Sequence, residues 1–151
     1  MNANRVRIDL EKGLPITTTK LAYGAHLGLG ARRAVSDNND LGVRIEFDQD
    51  VDGHALLGVR AIDYRHRYGD HFALGAFAGV ARYDLATPAY SLYGGVGAQW
   101  RNVLPKWDLG ADFRYAQNIA RNHVLATDVP GVRPDSFYKV ESGTLYVTRR
   151  F

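Results

Sequence analysis

In the segment Leu41-Gly-Val-Arg-Ile-Glu-Phe-Asp48 every second residue is apolar. Leu41, Val43, Ile45 and Phe47 fall on one face of an extended chain, and the residues between them are glycine or charged. Because the side chains of a β-strand point alternately to opposite faces, this period of two predicts a strand with one apolar and one polar face.

The same alternation recurs on both sides of this stretch and predicts about eight strands separated by turn-forming clusters. In the segment 55–68 the apolar face changes after Val59 to Ile62 and Tyr64, and a β-bulge near Ala61 explains the change. The last strand is predicted to slip in register around Ser142-Gly143. The predicted strands are 6–11, 21–29, 41–48, 55–68, 72–80, 90–100, 107–115 and 137–151.

The connections between these strands alternate in length. The segments 36–40, 69–70 and 102–106 are short, whereas 13–20 is longer and 118–136, with two prolines, is the longest. An even number of strands with such connections predicts a single domain over 1–151, folded as an antiparallel up-and-down β-barrel with a long loop at 118–136.

The polar strand faces decide what surrounds the barrel. They combine many glycines with long charged side chains, and glycine weakens a solvent-exposed strand. Inside a narrow barrel, however, glycine makes room for charged side chains that pair across the lumen. The polar faces therefore predict a packed interior, with the apolar faces toward lipid. The predicted interior charge network is Arg44, Glu46, Arg60, Asp112 and Arg114, with Arg7, Asp9 and Glu11 from the first strand.

This network has two interpretations. It is either a structural plug whose charges satisfy one another, or the lining of a narrow conduit for small solutes. Side chains about fill the interior of an eight-stranded barrel, which favours the plug.

Aromatic residues near the predicted strand ends are typical of the two interfacial girdles of a membrane barrel. They are Tyr23, Tyr64, Tyr68, Tyr90, Trp100, Trp107 and Tyr115. The chain also ends on an alternating stretch, Leu145-Tyr-Val-Thr-Arg-Arg-Phe151. Here the sequence resembles small bacterial outer-membrane β-barrels of the OmpA-transmembrane-domain and OmpX type. The resemblance implies an outer-membrane location with both termini in the periplasm, and a role for Phe151 as part of the signal read by the assembly machinery.

Composition excludes several classes of function. The chain of 151 residues has no cysteine, so disulfides, thiolate metal sites and cysteine nucleophiles are excluded. Its 19 basic and 16 acidic residues are scattered rather than clustered, which argues against a nucleic-acid partner. His54, His66 and His71 match no metal-ligand spacing, and Gly94-Gly-Val-Gly97 precedes no helix that would bind phosphate, so no cofactor is predicted.

Because several small outer-membrane barrels act on lipid, the resemblance implies lipid hydrolysis as a candidate activity. A lipid A deacylase needs a closely spaced His and Ser on a late strand, and Gln117 and Asn118 occupy the comparable region. A non-enzymatic barrel with a structural or surface-interaction role is therefore predicted.

The predicted partners are membrane lipid and lipopolysaccharide, the latter contacted by a basic outer rim of Lys12, Lys20, Arg121 and Arg133. The alternative function is a narrow pore or the barrel component of an export system. Weaker alternatives are a lipid A-modifying hydrolase and a soluble lipocalin-like barrel, and the latter requires the face of Leu41 and Ile45 to point inward.

Overall fold

The structure, a computed structural model, describes residues 1–10, 18–84, 87–88, 90–122 and 136–151. Within these ranges the side chains of 2, 4–10, 18–21, 87–88, 120–122 and 136–137 are not described. The described part of the chain contains no helix long and apolar enough to cross a membrane.

Over the described residues the fold is an antiparallel up-and-down barrel with eight long strands, as the alternation predicted. Each long strand pairs with its neighbours in the chain, and the last strand pairs with both the first strand and the strand before it, which closes the sheet. A two-residue strand, β6, adds to the end of β8. The strands are β1 (Asn2–Leu10), β2 (Thr18–Ser36), β3 (Asn39–Asp50), β4 (Ala55–Tyr68), β5 (Phe72–Tyr83), β6 (Thr87–Pro88), β7 (Tyr90–Leu104), β8 (Trp107–Asn122) and β9 (Ser136–Arg149).

The two ends of the barrel differ in their connections. At one end, here the turn end, lie the short turns after β2, β4 and β7. β9 ends there, and β1 begins on the same side but further up the wall, where Asn2 pairs with Gly24 and Thr144. At the other, here the loop end, lie the connections after β1, β3, β5 and β8, including the longest, between Asn122 and Ser136. The short connections therefore lie at one end of the barrel and the longer ones at the other.

The apolar strand faces point out of the barrel. Ile45 is 56 % exposed and Val43 54 %, whereas Glu46 and Asp48, on the opposite face of β3, are 0 % and 1 % exposed. This arrangement is the inverse of a soluble barrel, whose apolar face would be the buried one. The lipocalin-like alternative is therefore wrong, since it required Leu41, Val43, Ile45 and Phe47 to point inward.

The change of face in β4 is produced by a bulge, as predicted. The pairing of β4 with β5 shifts between Arg60 and Ile62, so that Ala61 and Ile62 are both exposed. The bulge turns Asp63 and Arg65 into the lumen, where they are 2 % and 0 % exposed.

Several strands are longer than predicted, since β1 begins at Asn2, β2 spans Thr18–Ser36 and β7 continues to Leu104. Two further predictions about irregular positions are wrong. No slip occurs at Ser142-Gly143, because β9 keeps continuous register with β1 from Ser136 to Thr144. The long connection does not begin at 118, because β8 continues to Asn122. Its pairing with β9 shifts between Ala116 and Ala120, and Asn118 has a positive φ of 56°. A bulge therefore interrupts the alternation there without ending the strand.

Candidate functional site

In the part of the chain that the structure describes, charged side chains converge in the lumen, and Arg60 lies at the centre of this group. Its guanidinium contacts two carboxylates, with Nη2 2.5 Å from Glu46 Oε1 and Nη1 2.6 Å from Asp112 Oδ2. All three side chains are 0 % exposed. The Arg60 guanidinium also lies 3.5 Å from the centre of the Phe77 ring. Charge pairing and stacking together fix this side chain across the barrel.

The other two arginines of the predicted network lie beside this centre. Arg114 contacts Glu46 Oε2 at 3.4 Å and Asp48 Oδ2 at 2.5 Å. Arg44 lies more loosely, with Nη1 3.9 Å from Glu46 Oε1 and 4.0 Å from Asp112 Oδ2. The structure thus brings together the five predicted network residues that lie on β3, β4 and β8.

The network also includes residues that the sequence analysis did not name. Arg65 contacts Asp63 Oδ1 at 2.9 Å and Asp112 Oδ1 at 3.2 Å. His26 Nδ1 lies 2.5 Å from Asp48 Oδ1. Arg32 Nη2 lies 3.0 Å from Asp63 Oδ2, so in the part of the chain that the structure describes five guanidinium groups face four carboxylates. The members are Arg32, Arg44, Arg60, Arg65, Arg114, Glu46, Asp48, Asp63 and Asp112.

Tyrosine hydroxyls donate hydrogen bonds to two of the buried carboxylates. Tyr93 donates a hydrogen bond to Glu46 Oε2 at 3.1 Å, and Tyr146 donates one to Asp112 Oδ1 at 3.0 Å. Buried charges are costly unless they are both paired and hydrogen-bonded. These two hydroxyls satisfy acceptor positions on the carboxylates that Arg60 bridges.

Glycines on the inward strand faces leave space for the charged side chains of the network, as predicted from the sequence. A Cβ on Gly97 would collide with the carboxylate of Asp112, and a Cβ on Gly110 would collide with the ring of Tyr146. Both glycines lie on the inward faces of their strands, β7 and β8. Glycine there permits the close approach of Asp112 and Tyr146 to the wall.

An apolar layer closes the lumen on the loop-end side of the network. Its members lie on inward strand faces, mostly in the strand halves nearer to the loop end, and Ile119 is 0 % exposed. The layer consists of Leu56, Phe77, Ala81, Tyr83, Tyr93, Ala116, Ile119, Tyr138 and Val140. The sequence analysis missed it, although the inward parity of Phe77 and Tyr93 follows from the alternation of β5 and β7. Apolar side chains on the loop-end side and paired charges at the centre fill these two parts of the lumen.

The outer surface carries an apolar belt between two groups of aromatic side chains. Tyr23, Tyr90 and Tyr115 lie in the strand halves nearer to the loop end, and they are exposed. Tyr64, Tyr68, Phe72, Trp100 and Trp107 lie in the halves nearer to the turn end and are also exposed. The belt between them includes Leu29, Ile45, Val59, Leu74, Val96 and Phe113. This is the arrangement of a transmembrane barrel.

The remaining predicted site residues are less well defined. The backbone places Lys20 near the start of β2 and Arg121 near the end of β8, both at the loop end. Lys12, Arg133 and Glu11 fall outside the described residues, and the side chains of Arg7 and Asp9 are not described. Phe151 is 98 % exposed and lies two residues beyond the end of β9, with its ring 5.3 Å from the Arg149 guanidinium.

The histidines singled out from the sequence do not form one site. His54 follows β3 at the loop end, 3.8 Å from Asp84, whereas His66 lies near the turn end and pairs with Asn39. Within the described ranges no three His, Asp or Glu side chains are arranged to hold a metal ion. Gln117 and Asn118 are exposed on β8, at its bulge.

Comparison with known proteins gives a limited result. No family model matches the sequence, and no curated protein matches it significantly. One similar solved structure is the crystal structure of Neisserial surface protein A, with 17 % sequence identity and a TM-score of 0.49. The match covers 99 % of this chain and 94 % of that one. At this level the likeness identifies neither a family nor a function.

Proposed function

We propose that this protein is a non-enzymatic barrel of a bacterial outer membrane, with a filled lumen and a structural or surface-interaction role. The observation that carries the proposal is the inside-out distribution of side chains. Exposed leucine, isoleucine, valine and aromatic residues cover the outside, and Glu46, Arg60 and Asp112 are fully buried inside. Contact of this apolar outer surface with water is unfavourable, whereas contact with lipid acyl chains is favourable.

The loop end is the proposed outer surface. Transmembrane barrels of this kind have short periplasmic turns and longer outer loops, and the turn end carries the short turns, with the start of β1 and the end of β9 on the same side. Lys20 and Arg121 lie at the loop end, with Lys12 and Arg133 in the connections that begin or end there. We propose that this basic rim contacts lipopolysaccharide phosphates and that Phe151 serves the assembly machinery at the opposite end.

The filled lumen favours a structural role over the alternative of a narrow pore or export component. An ion crossing the barrel would have to displace Arg60 from both Glu46 and Asp112 and then pass the apolar layer around Phe77 and Ile119. Neither the charge network nor the apolar layer provides a continuous water-filled path for an ion.

Conductance in a planar bilayer tests this proposal. We expect the refolded protein to leave the bilayer resistance unchanged at moderate voltage, whereas a sixteen-stranded porin inserted under the same conditions gives large discrete steps. Insertion is verified independently by protease protection of the reconstituted barrel. Reproducible discrete steps from inserted protein would overturn the filled lumen and establish the pore.

A further inference from the structure

The pairing of β7 with β8 is interrupted near the loop end. Register pairs join these two strands as far as Tyr93 and Ala116. Over the residues that the structure describes, 90–92 have no register partner on β8, and the Ser91 hydroxyl donates a hydrogen bond to the Gln117 carbonyl across this interval. Beyond the interval β8 pairs with β6, so the separation is local. It leaves backbone N–H and C=O groups that strand pairing does not use.

A groove of about 520 Å³ follows this separation on the outer face of the barrel. Its part nearer to the membrane centre is apolar, because Leu92 is 79 % exposed there and Gly94, which adds no side chain, pairs with Tyr115. Its part nearer to the loop end is polar, because Gln117 and Asn118 are both exposed. The groove therefore changes from apolar to polar in the direction that leads from the membrane centre to the outer surface.

Arg82 supplies a cation beside the groove. It lies on the outward face of β5, as the register partner of Tyr90, which lines the groove. Its guanidinium lies 5.9 Å from the centre of the Tyr90 ring, and none of the described carboxylates pairs with it. Tyr90 and Tyr115 belong to the loop-end group of aromatic residues, and such groups mark the level of the lipid headgroups. A long cationic side chain at this level reaches lipid phosphates.

These contacts fit a lipid that carries sugar and phosphate. The groove offers apolar contact, hydrogen bonds to neutral amides and a charge-assisted bond to a guanidinium. A phospholipid places its phosphate directly above its ester-linked chains, with few hydroxyl groups beside it. Lipid A, the membrane anchor of lipopolysaccharide, carries its acyl chains and its phosphates on amino sugars. Its apolar, neutral polar and anionic groups thus follow one another as the contacts in the groove do.

We propose that the groove between β7 and β8 binds the lipid A portion of one lipopolysaccharide molecule. An acyl chain lies over Gly94, the sugar hydroxyls contact Gln117 and Asn118, and a phosphate contacts Arg82. The proposal rests on the membrane location proposed above, in which the loop end faces the leaflet that holds lipopolysaccharide. It adds a site on the barrel wall to the proposed basic rim.

A charge variant tests the phosphate contact. Fluorescently labelled lipid A is titrated with the folded barrel in nonionic detergent micelles that contain neither sugar nor phosphate. Arg82→Gln is expected to weaken binding about fivefold, the contribution of one arginine near an anionic lipid surface. Arg33→Gln removes another outward arginine, paired with Leu41 at the turn end, and should leave the affinity unchanged. Equal affinities of the two variants would refute the contact at Arg82.

A filling variant tests the acyl-chain contact in the same titration. A Cβ at Gly94 meets only the Phe77 carbonyl oxygen, at 3.1 Å, so the wall accommodates Gly94→Val with a small shift. Its side chain fills the apolar part of the groove, and the affinity should fall about fivefold or more. Ala98→Val, an outward change on the same strand nearer to the turn end, should have no effect. Electrophoresis with and without boiling verifies that both variants fold. Unchanged binding by folded Gly94→Val would refute the groove and leave the rim as the binding surface.

A protection assay identifies the lipid without altering the charge or the floor of the groove. The chain has no cysteine, so Leu92→Cys reports on the groove and Phe47→Cys, outward in the loop-end half of β3, reports on the wall elsewhere. Lipid A in phosphatidylcholine vesicles should slow maleimide labelling about fivefold more at position 92 than at position 47. Phosphatidylglycerol at the same charge density should not. Equal protection by phosphatidylglycerol, or equal slowing at both cysteines, would refute a lipid A site. A barrel that folds and inserts but fails these tests leaves the proposed membrane location intact.

Discussion

Replacing Arg60 by methionine is expected to destabilise the folded barrel by about 3–5 kcal/mol. The variant keeps an unbranched side chain of similar length against Phe77, but it removes the charge that lies within 2.6 Å of both Glu46 and Asp112. Two buried carboxylates then lose their closest cation, and their desolvation is no longer offset. Urea unfolding in lipid vesicles measures the effect, with the fluorescence of Trp100 and Trp107 as the signal.

Two companion variants isolate the cause. Arg82→Met removes an exposed arginine from the outer face of β5 and should cost less than about 1 kcal/mol. Adding Glu46→Gln to Arg60→Met should recover part of the loss, because one of the two orphaned carboxylates becomes neutral. A loss for Arg60→Met no larger than that of Arg82→Met would show that the lumen is wet and that the network does not hold the barrel together.

Replacing Ile45 by arginine is expected to destabilise the barrel in a bilayer by about 2–4 kcal/mol. Ile45 lies near the middle of β3, points outward, and pairs with Leu29 and Val59 on the neighbouring strands. An arginine there must carry its charge into the hydrocarbon centre or bend toward an interface. Urea titration in vesicles, as for Arg60, gives the difference in unfolding free energy.

The depth of the substitution provides the control for this variant. Val35 points outward like Ile45 and is 58 % exposed. It lies on β2 next to the last residue of that strand, at the turn end. Val35→Arg should therefore cost only about 0–1 kcal/mol. If Ile45→Arg were as mild as Val35→Arg, the belt would be in contact with water rather than with lipid.

Alternation along the chain was enough to predict the barrel and the direction of its faces. Every second residue of β3 is apolar, and the glycines between charged residues on the other face already indicated an interior. Even the bulge at Ala61 could be predicted, because apolar residues stand on either side of it in opposite registers. Once the bulge is placed, Asp63 and Arg65 fall inside, so this signal was available for two network members that went unnamed.

Alternation fails where both faces carry polar or small residues. Around Ser142-Gly143-Thr144 the sequence shows no contrast, so a slip was inferred although Ser142 and Thr144 are both buried inside and Gly143 points outward. At Gln117-Asn118 two consecutive exposed residues resemble the start of a loop, yet a bulge carries the strand onward to Asn122. In both places the pairing of neighbouring strands decides the structure, and local sequence does not encode it.

The sequence also did not predict which charged residues contact each other within the lumen. Asp112 and Arg60 lie on β8 and β4, which are not neighbours in the sheet, and their contact depends on the closure of the barrel. Sequence identified the inward charges, but the curvature of the closed sheet determines which of them meet.

The most direct test of the inside-out barrel is folding from urea into detergent micelles, followed by electrophoresis with and without boiling. A closed barrel with a paired interior and a lipid-facing belt should migrate as a compact species before boiling and more slowly after it, and it should require the detergent to stay in solution. A chain that remains monodisperse in buffer without detergent and migrates identically before and after boiling would contradict the membrane barrel.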